Sequence, residues 1–196
     1  ITLPSPPPGS TASGGAAGRP RIDDGSTPLE YAVRMRQFSP ADELSALLAA
    51  QAVTPDDVAA LGAAIARFHA TAAPAPAGSD YGRAETAHRV TMDNFNELRA
   101  LPEAAGWASR LSGLESRTTD LHRELRPLMD ERREIGRVRE CHGDLHCGNV
   151  VRWAGALTPF DGIEFEPGLR FIDVINDIAF LTMDLAERGH VDLRRA

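Results

Sequence analysis

The spacing of apolar positions changes along this chain, and each change predicts an element. EYAVRMRQF alternates, with Tyr31, Val33 and Met35 on one face and Ala32, Arg34 and Arg36 on the other. That is the period of a strand with one solvated side. Helical spacing follows. In SPADELSALLAAQ, Ser39 stands as a cap and Pro40 falls in the first turn. TPDDVAALGAAIARFHA repeats the device with Thr54 and Pro55, and sets Asp56 and Asp57 at the positive end of the helix. Its apolar stripe is read through Val58, Leu61, Ile65 and Phe68. The Pro/Gly-rich TAAPAPAGSDYG breaks the pattern. From Arg83 to Arg137 helical spacing resumes, as two or three helices interrupted near Leu101–Pro102 and at Gly113. His69, His88 and His122 fall within these helices and read as surface or packing residues.

Beyond Arg137 the texture shifts. NVVRW and ALTPFD are short apolar runs around Ala154–Gly155, a small hairpin. IDVINDIAFLTMDLAERG is apolar almost all round, with Asp173 as cap and Gly189 as stop, and so predicts a buried helix. Asp184 on that helix needs a partner. The class is α+β: mostly helical, with a small β-hairpin. Residues 1–28, dense in Pro, Gly and Ser, predict a flexible segment, and 29–196 one helical lobe. There is no internal repeat.

Composition narrows the setting. With 196 residues and 42% hydrophobic content the chain can bury one substantial core. A net charge of −7 argues against a nucleic-acid footprint, which needs a basic face. It suits cations or amine-bearing small molecules, and it serves solubility equally well. No stretch approaches the ~20 apolar residues of a membrane helix, and no signal peptide is visible. Two cysteines close in sequence suit a reducing, cytoplasmic setting. The chain starts at Ile1 rather than methionine, which suggests a fragment, and all 21 basic residues are arginine, which hints at a GC-rich coding bias.

The chemistry concentrates in CHGDLHCGNVVRW, residues 141–153. Gly143 and Gly148 allow tight turns around Asp144, Asn149 follows, and Asp161 ends the second strand of the hairpin with Glu164 just beyond. An aspartate, a nearby asparagine and an acidic residue across a hairpin form a minimal kit for phosphoryl transfer. One carboxylate takes or orients the proton of an attacking hydroxyl. The amide oxygen and the other carboxylate suit magnesium, a hard ion that prefers oxygen ligands. Two metal-centred alternatives stand beside it. Cys141, His142, His146 and Cys147 offer zinc-type ligands, though at spacings too short to surround one tetrahedral ion comfortably. His142 and Asp144 with His190 sketch a non-haem iron triad, a chemistry at home on many-stranded folds.

HGDLHCGNVV resembles the catalytic loop H-G-D-x-H-x-x-N of the aminoglycoside phosphotransferase family, small-molecule kinases with a protein-kinase-like fold. His142, Gly143, Asp144, His146 and Asn149 fill its defined places. PFDGIEF and IDVINDIAFL resemble the family's metal-binding strand and the buried helix after it, and EYAVRMRQF the segment joining the two lobes. The variant is most similar to bacterial proteins in which such a domain precedes a P-loop ATPase domain. The resemblance implies the C-terminal lobe of a kinase-like fold, with the N-lobe largely missing, from an ATP-dependent phosphotransferase acting on a small-molecule hydroxyl. It implies Asp144 as catalytic base, Asn149 and Asp161 as Mg2+ and ATP-binding residues, and His142 and His146 as orienting residues. Asp177 would hold the loop through its backbone. Asp161 precedes Asp177 by sixteen residues and Glu164 by thirteen, longer and nearer to the family's spacing respectively, so the principal metal ligand stays open between them. The chain has no lysine to anchor phosphate and no phosphate-binding glycine loop, so it reads as the helical lobe truncated at both ends, by itself not expected to turn over; a pseudokinase that binds nucleotide without turnover is the alternative.

Overall fold

The computed structural model describes residues 2–4, 28–31 and 37–195. Residues 1–38 and 39–196 form two compact units. In the first, β1 (Thr2–Pro4) pairs antiparallel with β2 (Pro28–Tyr31), with Thr2 opposite Tyr31 and Leu3 opposite Glu30. Of the strand read over EYAVRMRQF, Glu30 and Tyr31 lie in β2 and residues 32–36 fall outside the described residues. So does most of the segment 1–28.

The second unit is helical, with two small two-stranded sheets. Ser39 does act as a cap: its Oγ accepts from the Ala41 amide at 3.2 Å. The turn it caps, Pro40–Asp42, is separate from α1 (Leu44–Ala49), because Glu43 between them is extended and bridges Val151. α2 (Pro55–Thr71) starts on a full capping box. The Thr54 hydroxyl accepts the Asp57 amide at 3.1 Å, and the Asp57 carboxylate accepts the Thr54 amide at 2.9 Å.

α3 (Ala84–Ala100) and α4 (Ala108–Glu134) pack on each other, joined through Leu101 and Pro102. Gly113 does not interrupt α4. A helical glycine costs only about 1 kcal/mol against alanine, too little to break a helix of 27 residues that packs on α3.

β3 (Val138–Glu140) pairs antiparallel with β6 (Phe171–Asp173), Val138 opposite Asp173. On its other side β3 meets the chain leaving α2: the Glu140 amide donates to the Ala73 carbonyl and the Ala75 amide to the Val138 carbonyl. β4 (Val150–Trp153) and β5 (Ala156–Pro159) form the hairpin. Ala154 and Gly155 have φ of 49° and 87°, the left-handed pair that a two-residue turn between twisted strands requires. α5 (Pro167–Arg170) is a single turn before β6, and α6 (Val174–Glu187) follows β6 directly. Asp173 caps α6 through the Ile175 amide at 3.0 Å and also receives both forks of Arg132, at 2.7 and 2.8 Å. Gly189, at φ 86°, ends it, its amide donating a hydrogen bond to the Ala186 carbonyl.

One core joins these parts. Leu44 and Leu48 of α1, Leu61 and Ile65 of α2, Val150 and Leu157 of the hairpin, and Leu181 and Leu185 of α6 close on Leu145 and Cys147. Two expectations are corrected here. The fourth residue of the α2 stripe is His69, buried, while Phe68 is half exposed. α6 is not covered all round, since Ile175 and Met183 stay more than half exposed. Among the described residues no helix is long and apolar enough to cross a membrane.

Candidate active site

The loop from Cys141 to Asn149 leaves β3 and enters β4, and burial alternates along its middle. Leu145 and Cys147 point into the core, whereas Asp144 and His146 remain partly exposed. Two buried anchors thus flank the carboxylate and present it outward.

α6 holds the loop at two places from one face. Asp177, in its first turn, accepts the His142 amide at 2.9 Å and the Gly143 amide at 3.0 Å. Asp184, two turns further on, accepts the Cys147 amide at 2.8 Å and the Arg188 guanidinium at 2.8 Å. These are the partners that a carboxylate on this helix needed. Burial raises the pKa of both, but the hydrogen bonds outweigh it, from His69 and the two amides on Asp177 and from Cys147 and Arg188 on Asp184. Both carboxyls are held below their usual range.

Gly143 is required by geometry. Its φ is 85°, and a Cβ there would lie 2.7 Å from the Leu169 carbonyl oxygen.

The histidines orient the loop. The Asp144 amide approaches His142 Nδ1 at 3.3 Å, and His142 Nε2 lies 2.7 Å from the Phe160 carbonyl. An Nδ1 that accepts leaves the proton on Nε2, which donates to Phe160. His146 Nδ1 likewise accepts the Gly148 amide at 3.0 Å. That turns Nε2 toward Asp144, at 3.6 Å, while the ring stands edge-on to Phe180. Asn149 Nδ2 donates to the Asp144 carbonyl at 2.9 Å and to its carboxylate at 3.2 Å. With that nitrogen engaged, Oδ1 is the acceptor Asn149 has to offer.

Asp161 reaches this region through its neighbours. The Phe160 amide donates to the Asn149 carbonyl at 3.0 Å, and the Ile163 amide donates to the His142 carbonyl at 2.9 Å. Asp161 itself has φ 60°, a left-handed conformation uncommon outside glycine, and its side chain is exposed. Glu164 lies further along the same loop, where Arg170 binds its carbonyl at 2.7 Å. Asp144 and Asn149 are therefore in direct contact and Asp161 is adjacent through the backbone. The carboxylates of Asp144, Asp161 and Glu164 do not close on one point within 4.8 Å.

The other metal readings fail on placement. Among the described residues, no three of Cys141, His142, His146 and Cys147 come within ligand reach of one another, nor do His142, Asp144 and His190. Burial pushes both thiols up to about 12, so they are protonated core residues.

His69 escaped the sequence reading. Its Nε2 lies 3.0 Å from Asp177 Oδ2, so α2 supports the carboxylate that supports the loop. The available signal was its place four residues after Ile65, on the buried stripe.

A loop hung by its amides from a buried aspartate, with an aspartate and an asparagine in contact at its outer edge, defines the C-terminal lobe of a kinase-like fold. The chain belongs to the phosphotransferase enzyme family (APH), whose profile matches residues 21–157. The match includes the whole loop and stops short of Asp161 and Asp177. Among curated proteins, the chain is similar to uncharacterized proteins of Mycobacterium tuberculosis and Mycobacterium bovis. Each is 30% identical over 175 residues, covering 84% of this chain and 33% of the relative. The chain thus spans about a third of the length of the curated relatives it matches. No solved structure matches it significantly.

Proposed function

We propose that this chain is the catalytic-loop lobe of an ATP-dependent phosphotransferase that acts on a small-molecule hydroxyl. The observation that carries the reading is the contact of Asn149 with the Asp144 carboxylate, on a loop fixed by Asp177. In this reading the partly exposed Asp144 carboxylate receives the substrate hydroxyl and takes its proton as the hydroxyl attacks. Asn149 and His146 hold that carboxylate in place, and Asp177 and Asp184 keep the backbone beneath it from moving.

The donor set suits magnesium. Asn149 Oδ1 and the exposed Asp161 carboxylate are hard oxygens, and neither takes part in the hydrogen bonds that fix the loop. They would hold the ion, with Asp161 as the principal carboxylate and Glu164 in reserve on the same loop. Bound with ATP, the ion would neutralise phosphate charge. A P-loop ATPase domain elsewhere in the full-length protein and a cytoplasmic location belong to the same reading.

A second reading is a nucleotide-binding module without turnover, and it would gain support if the rest of the full-length protein also lacked a lysine to anchor phosphate. ATP consumption by the full-length protein, measured against a panel of hydroxyl-bearing small molecules, decides between them. Turnover lost in Asp144→Ala supports the first. Nucleotide binding without turnover supports the second, and equal turnover in both proteins removes Asp144 from its role.

A further inference from the structure

Where Asp177 holds the loop, three potential metal ligands meet. A ring nitrogen of His69, Cys141 Sγ and a carboxylate oxygen of Asp177 all lie within 4.8 Å of one another, and His69 Nε2 lies 3.0 Å from Asp177 Oδ2. They come from α2, the end of β3 and α6, so three separate elements fix the group. All three residues are buried, at 7%, 5% and 1% exposure. We propose that His69, Cys141 and Asp177 form a second cation site, selective for a borderline ion such as zinc over magnesium, and that its occupation releases the catalytic loop from Asp177.

The donor set argues for the ion. Nitrogen, sulfur and a single carboxylate oxygen are zinc ligands, and magnesium takes oxygen alone. Charge argues likewise: one thiolate, one carboxylate and a neutral imidazole cancel a divalent ion, so a buried complex carries no net charge. Three protein ligands leave a fourth tetrahedral position for water. Two cavities flank the group. One, of about 270 Å³, is lined by Asp177 and His142, and the other, of about 410 Å³, by Cys141. Phe68 lines both and is 46% exposed, so both cavities reach the surface beside it.

The bonds exchanged are definite. In the resting protein the Cys141 thiol faces the Ile172 carbonyl at 3.5 Å, and His69 Nε2 lies against Asp177 Oδ2. On coordination the thiol proton goes to solvent, and the proton that His69 Nε2 donates to Asp177 in the resting protein leaves that nitrogen, the neutral ring carrying its one proton on Nδ1 instead. The same Oδ2 accepts the His142 amide. Coordination through that oxygen competes with the amide for it, and the loop loses part of its support. Magnesium at the outer edge of the loop and zinc at Asp177 would therefore act in opposite senses. Binding at the second site does not rest on the phosphotransfer reading; only its consequence for turnover does.

The test uses the full-length protein without nucleotide, freed of metal with a chelator and titrated with Co2+ as the spectroscopic probe. One equivalent is expected to produce a thiolate-to-cobalt charge-transfer band. Cys141→Ser and His69→Gln should lose or sharply weaken the band while melting cooperatively, and Cys147→Ser, buried but outside the group, should keep it. Hydrogen exchange of the peptide containing His142 and Gly143 should accelerate with Zn2+ and not with Mg2+. No band in the parent protein, or a band that survives Cys141→Ser, overturns the site. A band with unchanged exchange overturns its coupling to the loop. Because neither readout uses ATP, a failed phosphotransfer assay leaves the result standing.

Discussion

Replacing Asp177 by alanine should be among the most damaging single changes to this lobe, and the structure sets the magnitude. The side chain is 1% exposed and faces three donors: the His142 amide at 2.9 Å, the Gly143 amide at 3.0 Å and His69 Nε2 at 3.0 Å. Alanine leaves all three without that acceptor, the His69 nitrogen in a buried position and the two amides in partly buried ones. Each such group costs roughly 1–3 kcal/mol, and removing one partner of a buried charged network typically costs 3–5, so the loss should be about 3–5 kcal/mol. Against a domain stability of roughly 5–15 kcal/mol, that is a large share. Urea unfolding should show the midpoint falling by about 2 M at an unchanged slope near 2 kcal/mol per M. Asp80→Ala is the internal control. That carboxylate is 82% exposed and, among the described residues, forms an ion pair with Arg83 alone, so its removal should cost about 0–1 kcal/mol. If the two variants differ by less than 1 kcal/mol at equal slopes, the argument that Asp177 suspends the loop fails.

Other outcomes follow from the same geometry. Gly143→Ala should destabilise the chain by about 1–3 kcal/mol through left-handed strain, together with the clash against Leu169 O, read by the same urea midpoint; a neutral effect would contradict the close approach. His122, stacked on His88 at 4.4 Å, has its pKa lowered by burial first and by its neighbour second. Between the ordinary value near 6.5 and the lower folded value, the unfolded chain binds more protons. Stability should thus be full above pH 6.5 and fall as the pH drops below it, and His122→Gln should flatten that slope in thermal melts. Cys141 and Cys147, with thiols raised to about 12, should resist alkylation at pH 8 in the folded chain and react together on unfolding; rapid labelling of either would contradict its burial.

The sequence made some of this legible for identifiable reasons. Local chemistry was readable: Thr54 with Asp57, Asp173 and Gly189 at the ends of α6, and Ala154–Gly155 in the hairpin all act through near neighbours. What depended on distant partners was not. After Val58, Leu61 and Ile65, a helix of 3.6 residues per turn lets either residue 68 or residue 69 continue the stripe. Hydrophobicity favoured Phe68, yet a carboxylate from α6, 108 residues away, takes His69 inside. The break at Glu43 has the same origin, since the chain extends there to bridge Val151 of the hairpin. The apolar run of α6 concealed an exposed face at Ile175 and Met183, because composition does not say which face has a neighbour. In the site itself, the motif placed Asp144 beside Asn149, whereas the position of the Asp161 carboxylate is set by a left-handed backbone that spacing does not reveal.

The most direct measurement is an experimental structure of the full-length protein with Mg2+ and a non-hydrolysable ATP analogue. The account predicts an ion about 2.1 Å from Asn149 Oδ1 and from a carboxylate oxygen of Asp161. The terminal phosphate should face Asp144, and Asp177 should still hold the amides of His142 and Gly143. An ion bound elsewhere, or nucleotide bound with Asp144 turned away from its phosphates, would contradict it.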